Sequence, residues 1–232
     1  MQNSRKNAIF VDIYDVMKSI VCSLFLAISV AVSAQVPSLQ KVGNSTCLIV
    51  DGKPFVMYCG ELHNSTASSL SYMQEHRVWD KLKEMHLNSV IATVSWELVE
   101  PVEGQYDFTL VDAIIAEARQ RDMKIAFLWF GTFKNPMMTY APTWVKANPK
   151  KYPHAVDDKG QEMEHISVYG SEVLKADTKA YKAFLQHIKD TDKDHTVVMI
   201  QLQNEPGLRG TPRDYSADAN KAWKAQVPQQ IV

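Results

Sequence analysis

The feature that most constrains this chain is a series of short, almost wholly apolar runs, each followed by a stretch of helical periodicity. Ser89–Val94 (SVIATV), Lys124–Phe130 (KIAFLWF) and Thr196–Gln203 (TVVMIQLQ) have strand lengths and are rich in β-branched and aromatic residues. Strands without alternation are covered on both faces, as in a parallel sheet flanked by helices. Upstream, Leu48–Val50 and Phe55–Tyr58 flank Asp51-Gly52-Lys53-Pro54, a turn by composition, and the second run leads into Gly60-Glu61-Leu62-His63-Asn64.

Helices are expected between these runs. One spans about Tyr72 to His86, with Ser71 and Gln74 spaced as a capping box and Val78, Trp79, Leu82 and Met85 facing inward. A second starts near Thr109, with Val111, Ile114, Ile115 and Ala118 on its core face. A third runs from about Thr178 to Asp190, burying Tyr181, Phe184, Leu185 and Ile188, and a last one covers Ala217–Ala225. About four strand–helix units in succession predict an α/β fold with a parallel sheet. The hydrophobic fraction of 46% against 22% charged residues suits such a core. The segment from Thr132 to Asp177 breaks the alternation. It is long, Pro- and Lys-rich and weakly periodic, and loops of that kind are usually functional.

The N-terminus reads as a targeting segment. Ser19–Ala34 is apolar and uncharged, Lys18 precedes it, and Val32-Ser33-Ala34 before Gln35 has the small residues of a signal-peptidase site. Met17 stands where an n-region begins, so residues 1–16 read as an upstream mis-start. The expected division is 1–34, extension and signal peptide, and 35–232, the catalytic part. Export to the periplasm or outside follows, with no stable membrane span after cleavage; an uncleaved anchor is the alternative. A net charge of −1 gives no field for nucleic acid. Cys47 and Cys59 read as two free thiols rather than a disulfide framework.

Polar residues gather at the carboxyl ends of the strand runs: Glu61 and His63, then Trp96 and Glu97, Trp129, and finally Asn204 and Glu205. That edge carries the site in barrels and doubly wound sheets alike. Glycosidic cleavage requires two carboxyls flanking the bond, one to protonate the leaving oxygen and one to attack the anomeric carbon or activate water. Aromatic platforms and amides complete such a site, and Trp96 and Trp129 read either as sugar platforms or as core, with the pocket favoured for both. Each residue also has a plainer reading. Glu97 stands between substrate binding and a structural salt bridge, and Glu100 before Pro101 orders a loop. Glu61 and Asn64 line a pocket or hold the first strand end. His63 reads as packed, and His154, His165 and His187 have no metal-ligand spacing, so neither metal nor cofactor is expected.

Several stretches together resemble clan A glycoside hydrolases, in particular the family 35 β-galactosidases, with overlap to family 42. They are Asp51-Gly52-Lys53-Pro54-Phe55, Gly60-Glu61-Leu62-His63-Asn64, Trp96-Glu97-Leu98-Val99-Glu100-Pro101 with Gly104-Gln105-Tyr106-Asp107-Phe108, and Asn204-Glu205. The resemblance implies the N-terminal half of a TIM (β/α)8 barrel and retaining hydrolysis of terminal β-galactosides in an oligosaccharide or polysaccharide. It makes Glu205 the acid/base and Asn204 the group binding the hydroxyl beside the anomeric carbon. In that clan the nucleophile ends strand seven. The resemblance therefore implies a truncated chain, inactive alone, whose missing partner is the second half of its own barrel and whose open sheet edges favour self-association. Trp129–Asn135 departs from the common family 35 pattern and resembles a bacterial branch linked to plant cell-wall galactosides. Three alternatives remain: another clan A β-glycosidase, a non-catalytic carbohydrate-binding fragment, and a doubly wound protein, for which a Gly-rich phosphate loop is lacking.

Overall fold

The computed structural model describes residues 35–134, 139–205, 207–227 and 229–231, so the expected signal segment and start at Met17 lie outside the described residues. The described chain opens with an antiparallel sheet of β1 (Ser38–Val42), β2 (Ser45–Val50) and β3 (Lys53–Pro54). Asp51 and Gly52 join β2 to β3 with consecutive positive φ values of 51° and 75°. Two such residues give a turn whose twist matches that of the strands it joins.

The strand expected at Phe55–Tyr58 does not form. Tyr58 spends its backbone on Asn88, donating its N–H to the side-chain oxygen (2.9 Å) and accepting from the Asn88 N–H (3.1 Å). The first parallel strand is instead β4 (Cys59–Glu61), followed by β5 (Ser89–Ser95), β6 (Lys124–Phe130) and β9 (Val197–Leu202). These four pair in chain order, all parallel, with Glu61 opposite Ile91, Val94 opposite Trp129, and Trp129 opposite Leu202. With helices on one face, this is part of a TIM-barrel-like α/β fold.

The helix expected over 72–86 is two helices, α1 (Leu70–Glu75) and α2 (Val78–Glu84). The break falls at Arg77, whose φ of 51° is left-handed. The first cap is Ser69, whose Oγ accepts the Tyr72 N–H at 3.2 Å, so the Ser71–Gln74 box is not used. Helix α2 ends at Glu84, and Met85, its C-cap, lies outward, 59% exposed. A four-residue helix α3 (Trp96–Val99) follows β5, and α4 (Thr109–Gln120) buries the expected Val111, Ile114, Ile115 and Ala118. The described residues after β6 are structured. They hold α5 (Thr143–Lys146), the hairpin of β7 (His154–Val156) and β8 (Glu162–Ile166), and the start of α6 (Ser171–Thr191), which begins well before Thr178. The earlier start buries Val173 and Asp177, while Leu185 stays at the outer margin. Last comes α7 (Ala217–Lys224), capped by Ser216.

The period of two along each strand divides the core. Val90, Ala92 and Val94 of β5, with Ile125, Phe127 and Trp129 of β6, meet Trp79, Leu82, Ile114, Ile115 and Phe184 of the helices. On the opposite face, the inside of the partial barrel, Leu128 and Phe130 cluster with Tyr140 and Ile91. Helix α2 approaches closely because position 60 is glycine. A methyl there would stand 2.6 Å from Leu82 Cδ2 and 2.9 Å from Leu87 Cδ1.

Candidate active site

The carboxyl end of β9 holds a backbone that few residues adopt. Gln203 (φ 63°) and Glu205 (φ 42°) are both left-handed and neither is glycine. Such conformations cost on the order of 1 kcal/mol or more each and persist where surrounding contacts enforce them. Gln203 is held on both sides. Its N–H donates to the Trp129 carbonyl (3.1 Å), its Oε1 accepts the Phe133 N–H (3.3 Å), and its Nε2 donates to Asp177 Oδ2 (2.8 Å).

Asp177 is the tie beneath this edge. Buried on α6, it also accepts from Trp129 Nε1 (2.9 Å), from the Thr132 N–H (2.8 Å) and from the Thr132 hydroxyl (2.7 Å). Gly131 leaves room for it, because a Cβ there would collide with the carboxylate. One side chain thus joins the end of β6, the turn after it, the helix α6 and the residue that precedes Asn204.

Asn204 and Glu205 follow on this anchored frame. The Asn204 Oδ1 accepts from Gln201 Nε2 at 3.0 Å, and its Nδ2 donates to the Lys134 carbonyl at 3.5 Å. The Glu205 side chain is 64% exposed, and its carboxylate stands 3.5 Å from the Nζ of Lys134, itself only 8% exposed. That ammonium also lies 5.6 Å from the centroid of the Phe130 ring, on the barrel-interior face. A solvent-accessible carboxylate beside a buried cation, with an amide one residue away, can exchange a proton with an entering molecule and bind its hydroxyls.

The other sequence-derived residues divide. Glu61 ends β4 exposed and in register with Ile91, on the interior side. Asn64 is half-buried, its carbonyl accepting from the Thr93 hydroxyl at 2.9 Å. Glu97 pairs with Lys146 at 3.1 Å, half-exposed, which is the salt-bridge arm of its two readings. Glu100, 2% exposed, orders the loop by accepting from Trp96 Nε1 (2.8 Å) and the Gly104 N–H (2.7 Å).

Trp96 and Trp129 are not platforms; both have no accessible surface. Trp129 shares the helix-facing side of β6 with Ile125 and Phe127, and its ring packs against Tyr181 and Phe184 with centroids 5.6 and 5.4 Å away. Trp96 opens α3, which rotates it off the sheet edge into the core, edge-on to Trp144. Lys134, Asp177 and Gln203 are not among the site residues to which the sequence points. Asp177 had left a signal: it shares the buried helical stripe of Val173, Ala180 and Phe184, where a charge needs a reason.

Residues 71–230, more than half of the chain, match the sequence profile of glycoside hydrolase family 42, described as beta-galactosidase. The chain belongs to glycoside hydrolase family 42. The matched span contains Lys134, Asp177, Asn204 and Glu205. Of the two families the sequence resembles, it is the family 42 profile that this span fits, within the same clan of β-galactosidase-like hydrolases. Beta-galactosidase BgaA of Clostridium cellulovorans is 30% identical over 166 residues, covering 66% of this chain and 24% of that protein. The crystal structure of beta-galactosidase from the psychrophilic Marinomonas ef1 superimposes with a TM-score of 0.50 at 15% identity, over 69% of this chain and 23% of that one. At that identity the likeness concerns the fold. The family 42 chain spans about a quarter of the length of these relatives.

Proposed function

We propose that the chain carries the acid/base half of a retaining β-galactosidase site, acting on terminal β-galactosides of oligosaccharides or polysaccharides. The observation that carries this reading is the placement of Asn204 and Glu205, on a strained and anchored backbone, at the carboxyl edge of the fourth parallel strand of a family 42 chain. Glu205 protonates the leaving oxygen as the glycosidic bond breaks and then takes a proton from the water that releases the sugar. Asn204 binds the hydroxyl beside the anomeric carbon, and Glu61 and Asn64 bind further hydroxyls. Glu97 reaches a sugar only by leaving Lys146. The second carboxyl, the nucleophile, comes from a strand beyond the four described, so hydrolysis is a property of the assembled barrel. The apolar segment 19–34 supports export of that enzyme.

The test has a binding arm and a catalytic arm. The chain titrated with methyl β-D-galactoside should bind it, and Asn204→Ala should weaken binding about tenfold, the loss of one good hydrogen bond. In a polypeptide that carries these strands and the rest of the barrel, Glu205→Gln should lower hydrolysis of an unactivated galactoside by roughly 10²–10⁴. Unchanged hydrolysis in that variant overturns the assignment.

A further inference from the structure

A cavity of about 290 Å³ lies between the β7–β8 hairpin and residues 207–214, the segment that follows Glu205. Its apolar wall includes Phe133, Ile166, Tyr169 and Leu208, and its polar side is Arg213 and Asp214. Gly207, two residues past Glu205, and Phe133, next to Lys134, both line it, so it adjoins the catalytic edge without belonging to it. The volume is at the low end for ligand pockets and suits a single ring.

The two charged residues play unequal parts. Asp214 is buried and already engaged: Oδ1 accepts from the N–H groups of Val156 (3.1 Å) and Ser216 (2.7 Å), and Oδ2 from the Ser167 hydroxyl (2.6 Å). It fixes the floor of the cavity and has little capacity left for a ligand. Arg213 is held, and among the described residues only part of its guanidinium is engaged. Its Cζ lies 3.9 Å from the centroid of the Tyr215 ring and 5.1 Å from that of Trp223, and Nη1 donates to the Asp214 carbonyl at 2.7 Å. Among the described residues, neither Nε nor Nη2 of Arg213 donates a hydrogen bond, and no carboxylate pairs with this guanidinium. Aromatic contact fixes the guanidinium and leaves N–H groups on its edge, the geometry that selects a planar, two-oxygen acceptor.

We propose that this cavity binds a sugar unit bearing a carboxylate, of the uronic acid class, with the acid on Arg213 and the ring against the apolar wall. The site would let the enzyme take a galactoside in which an acidic sugar neighbours the bond to be cleaved. The sugar part rests on the glycosidase reading above; the carboxylate part rests on Arg213 alone.

The test is a titration of the full chain with D-galacturonate, D-galactose and acetate at fixed ionic strength, followed by calorimetry and by methyl chemical shifts of Ile166 and Leu208. Galacturonate should bind and move those methyls, and acetate and galactose should move them only at concentrations at least tenfold higher. Arg213→Met should lose galacturonate binding at least tenfold, and Asn204→Ala should leave it unchanged. If acetate binds as well as galacturonate, the site is a simple anion site and the proposal is overturned. Galacturonate that fails to shift Ile166 and Leu208 in the wild-type chain overturns it as well, whether or not Arg213→Met folds. Loss of Asn204-dependent methyl galactoside binding, with galacturonate binding intact, would strike the proposed function and leave the cavity standing.

Discussion

Lys134 holds its ammonium 3.5 Å from the carboxylate of Glu205, and of the two side chains it is the lysine that is buried. A buried ammonium opposite an exposed carboxylate makes the pair asymmetric. Removing the carboxylate strands a desolvated cation, whereas removing the cation only returns a carboxylate to water.

A double-mutant cycle should expose that asymmetry. Lys134→Met keeps volume and removes a buried charge, so it should be close to neutral in stability, while Glu205→Gln should cost about 1 kcal/mol. Because Glu205 is mostly exposed, the coupling should be only about 0.5–1 kcal/mol, and it should shrink in salt. Urea denaturation of the four proteins measures it, and strictly additive effects would show that the pair does not exist in solution.

Asp177 should matter twice, for folding and for ligand. Asp177→Ala leaves the Trp129, Thr132 and Gln203 donors without their acceptor. Stranded buried donors of this kind should cost about 3 kcal/mol. Releasing Gln203 should also relax the backbone that presents Asn204, so methyl galactoside affinity should fall in any fraction that remains folded. Full affinity in folded Asp177→Ala or Asp177→Asn protein would refute the anchoring role.

The two buried tryptophans should separate stability from binding. Trp129→Phe keeps most of the ring packing but leaves Asp177 one donor short, and Trp96→Phe does the same to Glu100. Each should cost about 1–2 kcal/mol and change galactoside affinity by less than about twofold. A large drop in affinity at unchanged melting temperature would restore them to the pocket.

Cys59 should give a pH signature. Burial raises its thiol above the ordinary value, a nearby Glu61 charge adds to this, and a hydrogen bond with Ser89 partly opposes it. The folded state therefore favours the neutral thiol. Its contribution to stability is fully present below the unfolded thiol pKa and is lost as pH rises through the folded one. In a Cys22→Ser, Cys47→Ser background, which leaves Cys59 as the one thiol of the sequence, iodoacetamide alkylation should show a rate midpoint above that of a free thiol, ~8.5. Urea should abolish the difference; a native midpoint at the free-thiol value would contradict the burial.

Legibility in the sequence followed the range of the contacts. The strands 89–95 and 124–130 and the inner face of α4 were readable because they depend on periods of two and about 3.6 residues within one segment. Asn204-Glu205 was readable because the two residues are adjacent. The Asp177–Gln203 tie joins residues 26 apart through tertiary folding, which no local pattern encodes. Nearness to a strand end does not expose Trp96 or Trp129: the strand period puts Trp129 among the helices, and α3 carries Trp96 into the core. The break in the first helix was hidden for another reason. No glycine or proline marks it; Arg77 takes a left-handed φ while its guanidinium pairs with Asp80 and Glu84 at 3.1 and 2.9 Å.

The order of the parallel sheet has a consequence for how the molecule is made. In the parallel sheet, each of β5, β6 and β9 lies beside the sheet strand that left the ribosome before it. Synthesis at about 5–20 residues per second therefore delivers every new strand to an edge that already exists, and the sheet can grow in the direction of translation. The wait is longest between β6 and β9, when residues 131–196 must emerge first. During that pause α6 can settle on the helix-facing side of β6, where Phe184 meets Phe127 and Trp129, keeping that apolar face from meeting another nascent chain.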